Sequence, residues 1–324
     1  MTLEKVLKNA KCFKLVCGAG NEDAVEVEKL VCLYASAGAD YFDLSAKENV
    51  VLAAMRGLER AGKSRKEKFL NVSVGIKGDP HVSKARIDPE KCIACGKCMG
   101  ACMIQHAIVP GKKYKVQTIR CIGCGACAKV CPVKAITIVS EPEPLSKVLP
   151  PLLKLGLDSL ELHAVTEDEE LAYAQWRELQ AAFGGVLSLC IDRSRLSDRQ
   201  LLARVKRFIE KRPAYSTIIQ ADGAPMSGCD DRDATTLQAL GTAQIVDRAG
   251  LPVFLMLSGG TNSKTAKLAR LFEIKSHGVA LGSYARKIVA PLIAREDFLR
   301  NKKVFAEARA IAAKLVKASV RYMG

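Results

Sequence analysis

Eight cysteines between Cys92 and Cys131 carry the clearest chemistry in this chain. Cys92, Cys95, Cys98 and Cys102, then Cys121, Cys124, Cys127 and Cys131, each follow the spacing C-x2-C-x2-C-x3-C. Two-residue gaps let three thiolates curl around three corners of an iron–sulfur cube. Small residues between them, Ala94, Gly96, Gly123, Gly125 and Ala126, let backbone N–H groups approach the sulfurs. Used twice, the spacing reads as two [4Fe-4S] clusters. In two-cluster ferredoxins the fourth cysteine of each run serves the other cluster. That rule assigns Cys92, Cys95, Cys98 and Cys131 to one cluster, and Cys102, Cys121, Cys124 and Cys127 to the second.

The segment is an internal repeat, since Cys92-Ile93-Ala94-Cys95-Gly96 through Ala107-Ile108 echoes Cys121-Ile122-Gly123-Cys124-Gly125 through Ala135-Ile136. Disulfides need an oxidising compartment, and the first residues show no export-signal pattern. Structural zinc prefers cysteine pairs at wider intervals than these dense triplets. The halves differ in one respect. The second run ends in the usual Cys131-Pro132, whereas the first ends Cys102-Met103 and carries an extra residue before Ala107.

Composition bounds the rest. At 324 residues and 49% hydrophobic, the chain has length for a large domain plus a small one. No apolar run approaches a membrane span, and the expected location is cytoplasmic. The formal charge of +16 falls to roughly +12 once eight thiolates and two oxidised cluster cores are counted. The positive residues gather at 63–68, 112–115 and 295–321. Aromatics are only 5% and no nucleic-acid motif appears, so the basic charge suits an acidic redox or signalling protein, or an anionic ligand.

Strands are expected at 12–18, 41–45 and 69–75, with helices between them. The rhythm stops at Lys77-Gly78-Asp79-Pro80 and resumes after Glu141-Pro142-Glu143-Pro144. Further strands are expected at 158–163, 186–192, 216–220, 252–257 and 278–281, each followed by a helix, with a tail helical to Tyr322. Eight strands alternating with helices point to a (β/α)8 TIM-type barrel, with an open doubly wound α/β sheet as the alternative. The expected divisions are 1–78 for the first barrel part, 79–141 for a ferredoxin-like α+β insert after strand three, and 142–324 for the remainder. A loop after a strand belongs to the face that carries barrel active sites, which sets the clusters over or beside the mouth.

Several stretches resemble the light-dependent period protein family (LdpA). They are Phe13-Lys14-Leu15-Val16-Cys17-Gly18-Ala19 with Ala37-Gly38-Ala39-Asp40, and Ala221-Asp222-Gly223-Ala224-Pro225-Met226-Ser227-Gly228. The others are Ser258-Gly259-Gly260-Thr261-Asn262, Gly282-Ser283-Tyr284-Ala285-Arg286 and the cysteine segment. The resemblance covers nearly the whole chain in one order. It implies an iron–sulfur protein with two [4Fe-4S] clusters, and redox sensing that feeds the cyanobacterial circadian clock.

At the expected barrel mouth stand Cys17, Ser45, His163, Asp192, Gln220, Asp222, Ser258 and Ser283. His163 is the acid–base candidate and Asp222 a ligand-binding candidate, although no nucleophile–base arrangement emerges. The five other cysteines, Cys12, Cys17, Cys32, Cys190 and Cys229, read mostly as small buried hydrophobes. Cys17 and Cys229 are also thiols to test for redox activity, and Arg286 a residue that would balance a bound anion. Ser258, Gly259, Gly260, Thr261, Gly282 and Ser283 follow strands seven and eight, where many barrels bind phosphate. The leading expectation is an electron-transfer or redox-sensing protein. The second is an iron–sulfur oxidoreductase whose clusters feed FMN, or another phosphate-bearing ligand, held by those loops.

Overall fold

Short runs that are apolar on both faces alternate with amphipathic stretches bearing their own start signals, and this pattern dictates strand–helix alternation. The computed structural model describes residues 1–18, 20–75, 82–104, 106–140, 142–164, 166–194, 196–223 and 232–323. The chain opens with α1 (Leu3–Lys8), β1 (Cys12–Val16), α2 (Ala24–Ser36), β2 (Tyr41–Ser45), α3 (Glu48–Arg60) and β3 (Phe69–Gly75). The insert contributes β4 (Ser83–Ile87), α4 (Lys97–Ala101), β5 (Ile108–Val109), β6 (Lys115–Val116), α5 (Ala126–Lys129) and β7 (Ile136–Ser140). The alternation then resumes with α6 (Leu145–Leu153), β8 (Ser159–His163), α7 (Glu169–Ala182), β9 (Val186–Ile191), α8 (Asp198–Ile209) and β10 (Thr217–Ala221). It finishes with α9 (Arg232–Arg248), β11 (Phe254–Leu257), α10 (Thr265–Leu271), β12 (Gly278–Leu281), α11 (Ser283–Ile293) and α12 (Lys302–Val320).

Strands β1, β2, β3, β8, β9, β10, β11 and β12 pair in parallel and close into a barrel. Closure is made by β1 against β12, Cys12 opposite Gly278 through Leu15 opposite Leu281, and it rules out the open doubly wound alternative. β3 pairs directly with β8, the first barrel strand after the insert, so the sheet runs on past it. The expected insert limits, 78/79 and 141/142, fall on residues outside the described set at 78, 79 and 141.

Successive strand residues point to opposite sides of a sheet. One phase, including Phe13, Leu15, Phe42, Leu44, Leu70, Val72, Leu160, Leu162, Leu187 and Leu189, packs against the helices through Leu30, Tyr34, Trp176, Val205 and Phe208. The other phase begins apolar. Cys12, Tyr41, Phe69, Val186, Ile218 and Phe254 join Leu3, Val6 and Leu7 of α1 in a second cluster at the strands' amino ends. A six-residue helix is too short to be stable alone. Burial of its apolar face, with Thr2 as its N-cap, makes α1 a plug that sequence periodicity did not reveal.

The tail departs from the expected single helix. It is divided into α11 and α12, and Lys29 Nζ holds the carbonyls of Ile293 and Arg295 at the break, each at 2.9 Å. Asn301 then caps α12 by accepting from the Val304 amide.

Helices α2 and α3 cross closely at Gly57, where an added Cβ would lie 2.6 Å from the Glu28 carbonyl oxygen and 3.0 Å from Val31 Cβ. Helix propensity alone would reward Gly57→Ala by roughly 0.8–1.0 kcal/mol. Overpacking against backbone costs about 1–3 kcal/mol, so the variant is expected to be the less stable protein. A thermal melt with G57A at or above wild type would contradict this close approach.

Candidate functional site

The insert is built around its cysteines. β4 pairs antiparallel with β7 from Ser83–Ser140 to Ile87–Ile136, and β5 pairs with β6. Ala85, Cys98, Ile108, Cys127 and Ile136 form its apolar centre, flanked by Cys102, Cys121, Cys131, Tyr114 and Val116. The sequence repeat is also a conformational repeat. Gly96 (φ 76°) and Gly125 (φ 74°) begin α4 and α5 in the left-handed conformation, and Ala94 matches Gly123 with positive φ. His106 and Lys134 correspond as well, one residue out of step because of the extra residue in the first half.

Backbone amides point at the thiols, as a cluster's sulfurs require. The amide of Ala94 lies 3.4 Å from Cys92 Sγ, that of Ala85 3.3 Å from Cys121 Sγ, and that of Ala135 3.2 Å from Cys131 Sγ. The amides of Ala94 and Tyr114 draw the Cys92 thiol below its ordinary pKa. Burial raises Cys102, and the charges that add to it come from Cys124, Cys121 and Cys98. Burial pushes Cys127 up to about 11, helped by Cys121, Cys124 and Cys102. Cys98, raised by burial, feels Cys95 and Cys92. Cys102 thus feels Cys124 and Cys121 of the second run as well as Cys98 of its own. The folded segment has the donor type, the amide orientation and the grouping that an iron–sulfur cluster needs.

The insert rests on the loop between β1 and α2. Lys84 Nζ donates to the Gly20 carbonyl at 2.7 Å and the Cys121 carbonyl at 2.9 Å, and pairs with Glu22 at 3.1 Å. Arg120 pairs with Asp23 at 2.5 Å and Glu26 at 3.2 Å, while the Glu22 amide donates to the Ile119 carbonyl. Asp23 is also the N-cap of α2. The start of that helix therefore anchors a cluster-bearing segment.

Inside the barrel, above the apolar plug, the inward phase turns polar. Lys14 Nζ is fully buried, pairs with Glu161 Oε2, lies 3.9 Å from Asp43 and donates to Gln220 Oε1 at 3.2 Å. Burial alone would strip its proton, but the Asp43 and Glu161 carboxylates overcome burial and hold its pKa above the lysine range. Glu161 is buried too, and Lys14 keeps it well below the carboxylate range. Burial raises Asp43. The Ser73 hydroxyl stands 2.6 Å from Asp43 and 2.9 Å from Glu161, Asn71 donates to Asp43, and Ser159 donates to Asn71 at 2.7 Å. With its ammonium engaged on several sides, Lys14 is a fixed positive charge rather than a free amine nucleophile.

The residues expected at the mouth divide. His163 and Gln220 join the interior network: His163 Nε2 is 3.1 Å from Glu161 Oε1, and Gln220 Nε2 donates to Cys190 Sγ at 3.0 Å. Asp222 is buried beside them, pushed by burial up to about 7 against the pull of His163 and Ser258. Neither of its oxygens has a well-formed hydrogen bond among the described residues. Ser45 donates to the Asn21 carbonyl, Asp192 accepts from Ser194, and Ser283 is exposed.

The glycine turns have a packing explanation. At Gly259 (φ 53°) a Cβ would lie 2.8 Å from Asp222 Cβ, and at Gly260 (φ 78°) 2.2 Å from Thr235 Cγ2. The Thr261 hydroxyl donates to the Ala280 carbonyl, and Gly282 precedes α11. A Cβ at Gly18 would lie 3.0 Å from the Arg286 guanidinium, which puts that cation against the β1 loop. Cys17 is buried, and burial drives its thiol far above the ordinary value, which fits a packed residue. Cys12 and Cys32 are buried as expected. Cys190 is buried but lies in the polar network, not in an apolar layer, which corrects its reading as a small hydrophobe. Cys229 lies outside the described residues.

Sequence reasoning missed Lys14, Asp43, Asn71, Ser73, Ser159, Glu161 and Cys190. Their signal was present: each is a polar or thiol residue in the inward phase of a strand with apolar neighbours, as in CFKLV, YFDLS and SLELH.

A closed (β/α)8 barrel that carries a cysteine-centred ferredoxin-type insert defines an iron–sulfur barrel protein, and residues 85–138 match the 4Fe-4S dicluster domain. Residues 152–320 match the Light dependent period A C-terminal domain. Over 302 residues the chain is 30% identical to Light dependent period A of Synechococcus elongatus, covering 89% of this chain and 84% of that protein. The chain belongs to the Light dependent period A family. Among solved structures, the YdjI aldolase from Escherichia coli K12 covers 99% of this chain and 95% of its own at TM-score 0.52 and 10% identity, a likeness of fold. Among the described residues no helix is long and apolar enough to cross a membrane.

The interior pair makes a measurable prediction. Lys14→Met leaves Glu161 buried without its counter-ion and is expected to cost about 3–5 kcal/mol. Lys14→Met combined with Glu161→Gln removes both charges and is expected to be more stable than the single variant. Equal melting temperatures for wild type and K14M would show that the pair does not support the barrel.

Proposed function

We propose that this chain is a redox sensor or electron carrier that binds two [4Fe-4S] clusters. Cys92, Cys95, Cys98 and Cys131 hold one, and Cys102, Cys121, Cys124 and Cys127 the other. The observation that supports this reading is the duplicated cysteine run in a segment whose amides point at sulfur and which matches the 4Fe-4S dicluster domain. In keeping with its family, the protein acts in redox input to a circadian clock. Each one-electron reduction adds a negative charge to a cluster, and its neighbourhood on the insert surface suits a docking face. Ile93, Met99, Met103, Ile119, Val130 and Val133 are exposed there, among exposed Lys91, Lys97, Lys112, Lys113, Lys115, Lys129 and Lys134. Exposed apolar side chains and lysines concentrated in one short segment fit a signalling or redox protein with an acidic patch.

A phosphate-bearing ligand such as FMN at Ser258–Thr261 and Gly282–Ser283 has less behind it. The Thr261 hydroxyl is engaged by Ala280, and packing accounts for both glycines of the first turn. An oxidoreductase fed by the clusters would therefore draw on the polar interior around His163 and Asp222.

The crossed ligand assignment can be read by electron paramagnetic resonance on anaerobically purified, dithionite-reduced protein. Cys102→Ser is expected to perturb the same signal as Cys121→Ser, and Cys131→Ser the same signal as Cys92→Ser. A pairing of Cys102 with Cys92 would overturn the assignment.

Sensing predicts that partner capture depends on redox state. Anaerobic pull-downs with reduced and oxidised protein are expected to differ in yield, and the difference should shrink when Lys112, Lys113 and Lys115 are changed to Glu. Identical capture in both states would argue against sensing and leave electron transfer alone.

A further inference from the structure

Glu161, His163 and Cys190 each present one donor atom within 4.8 Å of the other two, and all three residues are buried. Glu161 Oε1 is 3.1 Å from His163 Nε2 and 3.2 Å from Cys190 Sγ, and Cys190 Sγ is 3.4 Å from His163 Nε2. The triangle is set by the backbone. His163 and Cys190 are direct partners in the β8–β9 ladder, and Glu161 lies two residues before His163 on the same face. Because β8 ends at His163 and β9 one residue after Cys190, the triangle sits at the carboxyl end of the barrel, where such folds place their chemistry.

From this geometry we propose that Glu161, His163 and Cys190 form a mononuclear zinc site in the barrel, separate from the cluster cysteines. A tetrahedral Zn2+ with Zn–O and Zn–N of ~2.0–2.1 Å and Zn–S of ~2.3 Å holds its donors roughly 3.3–3.6 Å apart. The observed edges are shorter by only a few tenths of an ångström, so a slight opening admits the ion. The donor set also selects the metal. One thiolate, one imidazole and one carboxylate at tetrahedral spacing suit zinc better than magnesium or calcium, which take all-oxygen shells.

The surroundings are those of metal ligands. Gln220 Nε2 donates to Cys190 Sγ, a bond that steadies a thiolate, while Lys14 holds Glu161 Oε2 and leaves Oε1 turned to the triangle. Asp222 supplies an independent sign. It is buried, both its oxygens lack a well-formed hydrogen bond among the described residues, and its charge reaches both His163 and Cys190. A cation in the triangle would give that carboxylate a partner through one water, since Asp222 lies outside the group of donors within 4.8 Å of one another. Binding exchanges the Cys190 thiol proton for the ion and releases it to solvent, with no change of oxidation state. The charges then come close to balance, with Zn2+ and Lys14 facing Asp43, Glu161, Asp222 and the Cys190 thiolate.

The test is zinc K-edge absorption spectroscopy, with elemental analysis, on full-length anaerobically purified protein whose clusters are intact and which has been equilibrated with Zn2+ and desalted. About one zinc per chain is expected, with one sulfur and two or three nitrogen or oxygen scatterers. In Cys190→Ser the sulfur scatterer should vanish, and His163→Ala, which removes a direct ligand, should lose the zinc on desalting. An unchanged thermal melt together with unchanged iron content in each variant shows that barrel and insert are both still folded. Zinc in an all-sulfur shell would mean the ion had entered the cluster cysteines, and failure of folded wild type to retain zinc would mean the triangle is held by hydrogen bonds alone. Either result overturns the proposal.

Discussion

The barrel is organised by an ammonium group held in its interior. Lys14 arises from β1, its principal counter-ion Glu161 from β8 and its second carboxylate Asp43 from β2, so one charge ties together strands on both sides of the insert. A buried ion pair contributes little net stability against an apolar filling of equal volume, but removing one partner is costly. Its presence in a layer that barrels of this kind normally fill with branched apolar residues therefore marks the interior as a site. The surrounding Ser73, Asn71, Ser159 and Gln220 complete the hydrogen bonding that makes such burial tolerable.

Below the polar layer the barrel needs an apolar floor. α1 supplies it by closing the amino end with Leu3, Val6 and Leu7. With that end plugged, the polar layer lies toward the carboxyl end, from which the insert leaves the barrel after β3. Fold and insert thus bring the cysteine core and the polar interior toward the same face.

Much of this was legible in sequence because the signals were local and periodic. The cysteine spacing, its duplication and its one-residue irregularity all reappear, the last as the displaced correspondence of His106 with Lys134. All eight barrel strands formed, and the resemblance to the LdpA family held over most of the chain. The interior network was not read, because each member is one polar letter in a strand otherwise dominated by apolar ones. Only closure of the sheet shows that Lys14, Asp43, Asn71 and Glu161 point at a common centre. The Ser258–Thr261 turn carries a second reason for its residue types. Its glycines were read as ligand-binding residues, and contacts with Asp222 and Thr235, distant in sequence, also require them to lack a Cβ.

Among the described residues, charged groups join the two regions beside the backbone bond from Glu22 to Ile119. Lys84 binds the Cys121 carbonyl and the Gly20 carbonyl while pairing with Glu22, and Arg120, next to Cys121, grips Asp23 and Glu26 at the head of α2. Negative charge arriving at a cluster beside Cys121 would strengthen the hold of Lys84 and Arg120 on the insert and weaken their hold on the acidic helix start. These pairs are only partly buried, so the effect on each is screened. They act on one short loop, however, and that loop extends β1, the strand that carries Lys14. Charged contacts therefore run from the cysteine core to the loop that extends β1.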